Sequence, residues 1–215
     1  MFATAMQGRH VVVTGGKGAL GGAVVSLLET RGAIVHVPDI STADLTREAD
    51  AAAYYAALPP LWASIHLAGG FAMAKITDTS LADFEQQWRT NTVTCFLACR
   101  EAVRSIRGTG DGGRIVNVAA RPVLAPTGGM TSYIAAKAGV AAITQALAVE
   151  LAADDILVNA VLPSVIDTPA NRASMPRADH AAWPKPAELA ETIAFLASPH
   201  NALTSGTLVP VYGRA

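Results

Sequence analysis

The chain has 215 residues, half of them hydrophobic (51%) and only 15% charged, with a net charge of -1. That length suits one domain with a full core, and the composition is the reverse of a disordered chain's. No block of like charge points to nucleic acid or an anionic membrane surface.

In chain order, strands and helices alternate from one end to the other. His10–Thr14 reads as a buried strand and runs into a glycine cluster. Leu20–Arg31 follows as a helix closed by Gly32, a suitable residue just beyond a helix end. Ile34–Val37 is the second strand, Thr46–Ala57 a helix ending before Pro59-Pro60, and Ser64–Ala68 the third strand. A capping box at Ser80-Leu-Ala-Asp83 opens one long helix to Arg107. Arg114–Val118 is the next strand, Ser132–Ala152 a helix, Leu157–Val161 a strand, Ala187–Ala197 a helix and Thr207–Val211 the last strand. Strands separated by helices pair in parallel through right-handed crossovers. The expected fold is therefore α/β, a Rossmann-type doubly wound parallel sheet with helices on both faces, forming one domain over residues 1–215.

Met1–Arg9 lacks the cationic and apolar pattern of a secretory signal, and no uninterrupted apolar run approaches the roughly 20 residues of a membrane span. Cys95 and Cys99 are four residues apart in a helical pattern. They read as small buried hydrophobes rather than a metal pair, which suits a reducing, cytoplasmic setting. His66, His180 and His200 lack partners at ligand spacing and read as structural, so no metal is expected.

The first functional motif is Thr14-Gly-Gly-Lys-Gly-Ala-Leu-Gly21, where a strand hands over to a helix. Glycines there permit a tight turn and let backbone N–H groups reach a pyrophosphate, which the helix N-terminus also favours. Gly15, Lys17, Gly18, Ala19, Leu20 and Gly21 are the candidate cofactor-binding residues. Asp39, just past the second strand, is placed to accept hydrogen bonds from an adenosine ribose and to repel a 2′-phosphate, favouring NADH. Lys17 pulls the other way, so NADPH stays possible.

The second motif is Tyr133-x-x-x-Lys137, which puts a phenol and an ammonium on one helical face a turn apart. Lys137 should lower the phenol's pKa from its usual value of about 10, making Tyr133 a proton donor during hydride transfer. Asn91 lies in the long preceding helix, and Val161-Leu-Pro163 leads to Asp167-Thr-Pro169 after the fifth strand. Together with the glycine turn, these motifs resemble the short-chain dehydrogenase/reductase family over essentially the whole chain. The resemblance implies an NAD(P)-dependent oxidoreductase in which Tyr133, Lys137 and Asn91 are catalytic, with Lys137 gripping the nicotinamide ribose and Asn91 holding a proton-relaying water. It also implies that Ala68, Gly69, Gly70 and Thr168 meet the cofactor, and that long alanine-rich helices pair into a homodimer or homotetramer.

The family's serine ahead of the tyrosine falls on Ala120, the middle turn glycine on Ala19, and Asn-Asn-Ala-Gly reads His66-Leu-Ala-Gly69. These departures, with Ala68-Gly-Gly-Phe71, Pro126-Thr-Gly-Gly-Met130 and the stretch Asp167–Asp179 with Trp183, resemble the quinonoid dihydropteridine reductase branch. That likeness implies a conjugated cyclic imine or quinonoid substrate, met by Phe71, Met130, Asn171 and Trp183 under a flexible lid at about 168–186. Losing one donor to a developing oxyanion costs on the order of 10²-fold, which a conjugated acceptor tolerates better than a ketone. Thr131 or Ser132 could substitute for the serine, but both are expected to cap the helix. The alternatives are a ketone, alcohol or quinone reductase of the same fold, and a dinucleotide sensor without catalysis.

Overall fold

The computed structural model describes residues 5–214. The first residues of the Met1–Arg9 stretch read above lie outside them, as does Ala215. Six parallel strands form one sheet: β1 (His10–Thr14), β2 (Ile34–His36), β3 (Ala63–His66), β4 (Gly113–Val118), β5 (Ile156–Pro163) and β6 (Leu208–Val211). Their spatial order is β2-β1-β3-β4-β5-β6. From β1 the chain steps outward to β2, then crosses back over β1 to lay down β3. The reversal leaves a crevice at the C-terminal ends of β1 and β3, the usual ligand position in open α/β sheets.

Helices α1 (Ala19–Thr30), α2 (Glu48–Ala56), α3 (Leu81–Trp88), α4 (Thr94–Arg107), α5 (Thr131–Glu150), α6 (Pro169–Ser174) and α7 (Pro186–Ala197) complete the order. Two cores flank the sheet. One packs Ile106, Ala98, Cys99, Val140 and Leu151 of the α4–α5 face onto Val12, Ile115, Val158 and Leu162. The other packs Val24, Leu28, Ile193 and Ala194 of α1 and α7 onto Val11, Val13, Ile65 and Val116. Alternate residues of the same strands supply opposite faces, so the strands read as continuous apolar runs.

Besides end shifts of one or two residues elsewhere and the short helix α6, which the sequence pattern does not announce, three elements differ from the sequence expectation. α2 starts at Glu48 rather than Thr46 because Asp44 Oδ1 accepts from both the backbone N–H and the hydroxyl of Thr46, closing a local turn that competes with helix. The single long helix to Arg107 is divided by a π-helical stretch, Arg89–Val93. α5 begins at Thr131, with Met130 as its cap residue and no side-chain cap bond. Thr131 and Ser132 therefore occupy the first helical turn and do not cap it. By contrast, the Ser80–Asp83 capping box forms reciprocally, and Gly32 takes the left-handed position after α1 at φ +89°.

Candidate active site

The turn after β1 is held by close backbone approach. Gly15 has φ +68°, and a Cβ there would sit 2.8 Å from the Ala68 nitrogen. A Cβ on Gly21 would strike the Gly15 carbonyl oxygen and lie 2.6 Å from Gly16 Cα. Only glycine fits, which is how the first turn of α1 is brought under the strand end. Thr14, buried at the end of β1, accepts the Ala68 N–H on its hydroxyl at 3.1 Å and ties the two loops of the crevice together. Gly18 caps α1 in an extended conformation, and Lys17, Gly18 and Ala19 are exposed with Leu20 half-buried. The first N–H groups of α1 thus face the crevice without intrahelical partners.

At the tip of β2, Asp39 pairs with Lys17 across the same opening. Its other carboxylate oxygen accepts from the Ser41 N–H at 2.8 Å and the Ser41 hydroxyl at 2.7 Å, which fixes the group in place.

The Gly69-Gly70 loop after β3 is gripped by Asn91. The Asn91 amide donates to the Gly70 carbonyl at 3.0 Å and to the Gln87 carbonyl at 3.0 Å, while its oxygen accepts the Gly70 N–H at 3.3 Å. Asn91 lies inside the π-helical stretch, a feature that often marks functional sites. Its neighbour Thr92 donates to the Ala136 carbonyl at 2.8 Å, docking the stretch onto α5. Lys137 arrives from α5, only 7% exposed, and donates to the Val118 carbonyl at 2.8 Å. A Cβ on Gly69 would come within 2.6 Å of the Asn91 oxygen and 3.3 Å of Lys137 Nζ. Tyr133 meets the next residue of that loop, with its ring edge-on to Phe71 at 5.0 Å. Tyr133, Lys137 and Asn91 thus converge on one segment, residues 69–71, at the C-terminal edge of the sheet.

The electrostatics differ from the expectation in one respect. Burial dominates, and in the free protein it pushes the Tyr133 phenol up to about 12 and the Lys137 ammonium down to about 8. The proximity of the ammonium alone does not acidify the phenol. A positive charge bound beside the phenol would favour the phenolate and lower that value.

Ala120 is buried at the end of β4 and opens a 3-10 turn, offering no side-chain donor. Phe71 is 60% exposed at the crevice mouth, near Met73, which contacts Gly129 just before the half-buried Met130. Three residues expected at the cofactor or substrate have other partners. The Thr168 hydroxyl caps α6 by accepting the Asn171 N–H at 3.2 Å, and the Asn171 side chain donates to the Ile166 carbonyl at 2.8 Å. Trp183 is buried beneath the segment with its ring 4.6 Å from that of His180. The 168–186 segment is fastened by the Arg172–Asp167 pair, with a second bond at 2.8 Å, and by the Asp167 N–H to the Pro184 carbonyl at 2.9 Å. Sequence reading missed Gly16, packed against Val37, and the Val118 carbonyl that anchors Lys137. A backbone acceptor leaves no sequence signal.

Comparisons with known proteins bear on the family and the fold. Residues 2–213 match the family described as enoyl-(acyl carrier protein) reductase. The chain is 30% identical to a 3-beta-hydroxysteroid dehydrogenase of Comamonas testosteroni, covering 94% of this chain and 93% of that one. It is 31% identical to a cis-4-hydroxycyclohexanecarboxylate dehydrogenase of Sinomonas cyclohexanicum, covering 95% of each. Among solved structures, a dehydrogenase/reductase from Sinorhizobium meliloti 1021 superposes with a TM-score of 0.87 at 26% identity, covering 99% of this chain and 97% of that one. Fold, crevice and matches over nearly the whole length place the chain in the short-chain dehydrogenase/reductase family of NAD(P)-dependent oxidoreductases.

Proposed function

We propose that the protein is an NADH-preferring reductase that delivers hydride to a conjugated cyclic imine or quinonoid acceptor, with Tyr133 as proton donor. The observation that carries this reading is the convergence of Tyr133, Lys137 and Asn91 on the Gly69–Phe71 loop, with Ala120 where a hydroxyl donor would otherwise stand. The bound cofactor supplies the hydride. The chain's own residues do the rest. The α1 N-terminus and glycine turn seat the pyrophosphate, and Asp39 meets the adenosine ribose, where a 2′-phosphate would face a fixed carboxylate. Lys137 holds the nicotinamide ribose, and its charge, joined by that of the oxidised ring, stabilises the phenolate after the proton leaves. Asn91 orders the loop and a proton path behind Lys137. Phe71 offers a face for a flat heterocycle, with Met130 beside it. The 168–186 segment acts as a lid, with Thr168 releasing its cap bond to reach the cofactor amide.

A second reading is favoured by the relatives' names: a ring ketone or secondary alcohol as substrate, with the cost of the absent hydroxyl accepted. Steady-state NADH and NADPH oxidation with quinonoid dihydropterin, a para-quinone and a cyclohexanone separates the two. Tyr133→Phe should lower kcat by about 10²–10⁴-fold. Faster turnover of the cyclohexanone than of either conjugated acceptor overturns the substrate assignment. Undiminished Tyr133→Phe activity overturns the mechanism.

We read the protein as a cytoplasmic homo-oligomer, supported by two buried, unpaired cysteines and by an exposed apolar face on α3 and α5.

A further inference from the structure

Behind the candidate active site, on the α4 face of the sheet, lies a cluster the proposed reaction does not use. Cys95 and Cys99 stand one turn apart on α4, and His66 reaches them from the end of β3. All three are buried, and their ligand atoms lie within 4.8 Å of one another. Asn117, fully buried on β4, adds a carbonyl oxygen. The donor separations are Cys95 Sγ to Cys99 Sγ 4.0 Å, Cys99 Sγ to His66 Nδ1 3.5 Å, Cys99 Sγ to Asn117 Oδ1 3.5 Å, and His66 Nδ1 to Asn117 Oδ1 2.8 Å. Around a tetrahedral zinc with bonds of about 2.0–2.3 Å, donors sit roughly 3.3–3.8 Å apart. Three of the four distances are close to that range. The fourth is a hydrogen bond that lengthens when the proton between its atoms is replaced.

We propose that His66, Cys95, Cys99 and Asn117 form a buried site for a thiophilic divalent cation, with zinc the fitting ion. The proton balance closes with two protons released and one kept on the imidazole. Both thiols lose their protons to solvent during folding, and the imidazole moves its remaining proton to Nε2. That nitrogen then donates to Ser64 Oγ, 2.8 Å away, which is itself 3.0 Å from the buried Tyr55 hydroxyl. This is the outer-shell support that orients a ligating histidine. The Asn117 amide is held by Thr144 at 2.9 Å, which keeps its oxygen toward the site. Two thiolates cancel the charge of zinc, so the filled site is neutral and avoids the penalty of burying an unpaired ion. The site joins α4 to β3 and β4, and so stiffens the elements that carry Asn91 and the Gly69-Gly70 loop.

The test is to express the full chain in medium supplemented with cobalt or with zinc, then record metal content, absorption spectrum and melting temperature. The expected result is one bound ion per chain, with the thiolate-to-cobalt charge-transfer band and strong visible bands of a tetrahedral site. Cys99→Ala and Cys95→Ser should each lose that band and lower affinity by about 100-fold or more, while keeping the parent's far-ultraviolet circular dichroism and a cooperative melt as evidence of folding. His66→Asn should keep a weaker thiolate band. A metal-free parent protein, or metal retained without a thiolate band, overturns the proposal, as does equal loading of a folded Cys99→Ala variant. None of these readouts depends on the reductase reading.

Discussion

Lys137 is the residue whose cost and use are most sharply opposed. Its ammonium is buried, and its pKa falls from 10.5 to about 8 through desolvation. A lysine whose folded-state value lies below its unfolded one destabilises the fold in full below pH 8 and ceases to do so as the pH rises to 10.5. A shift of that size corresponds to about 3 kcal/mol. Replacing the side chain leaves the Val118 carbonyl without its donor, at about 1–2 kcal/mol. Lys137→Met should therefore stabilise the cofactor-free protein at pH 7 by about 1 kcal/mol, raising Tm by roughly 2–4 °C while abolishing turnover. The gap should narrow between pH 8 and 10; Tyr133, raised to about 12 by burial in the folded chain, is present in parent and variant alike, so its own titration largely cancels from the difference. Melting curves across that range check the sign. A variant less stable than the parent at pH 7, or a gap that does not respond to pH, defeats the argument. The pair itself was legible from a four-residue spacing, but its titration was not. Spacing reveals an ammonium one turn from a phenol, whereas the balance of burial against charge depends on what surrounds both.

At the scale of elements, strands and the larger helices follow from apolar runs, glycine stops and the Ser80 capping box, because each of those signals is local. The interruption of the Leu81–Arg107 helix is not local. A single π turn inserts an extra residue, and it persists here because the freed groups find partners: the Thr94 hydroxyl donates to the Arg89 carbonyl at 3.0 Å and Thr92 bonds across to α5. No pattern in the helix's own residues announces a contact made by another helix. The same distinction explains why His66, Cys95 and Cys99, far apart in sequence or paired only with each other, read as structural until β3 and α4 brought them together. The glycine turn gives the opposite case, where sequence and geometry agree. Gly21→Ala forces a methyl into the Gly15 carbonyl and Gly16, backbone atoms that cannot swing aside. Overpacking of this kind costs typically about 1–3 kcal/mol, and the displaced turn spoils the pyrophosphate seat. The variant should melt lower and show at least a ~10-fold higher KM for NADH, with the conjugated acceptor's KM little changed. Unaltered NADH binding would falsify the assignment of this turn to the dinucleotide.

For the whole molecule the outstanding feature is an apolar exterior on one side. Leu81, Phe84 and Trp88 recur along α3 at exposures of 72%, 37% and 40%, and Val149 near the end of α5 is 80% exposed. Ala142, Gln145, Ala146 and Val149 form an exposed stripe at helical spacing on α5, beside a groove of about 390 Å³ running to Phe96 and Val103 of α4. A long helix this poor in charge is ordinarily covered, and contiguous apolar patches beyond a few hundred Å² usually mark an interface. Small alanines would let two such helices approach closely, and a two-fold axis along the stripe would make the surface its own complement. Pairing there also bears on chemistry, because α5 carries Tyr133 and Lys137 on the opposite side from the stripe and would be held rigid by its partner. Ala146→Arg places a charge at the middle of the stripe, away from the core and the crevice. Sedimentation should show the parent as a dimer or tetramer and the variant shifted toward the next smaller species. Activity per chain should fall as α5 loses its support, while the far-ultraviolet spectrum keeps its shape. A parent that sediments as a monomer at assay concentration rules out the pairing, and α5 would then owe its order to the sheet alone.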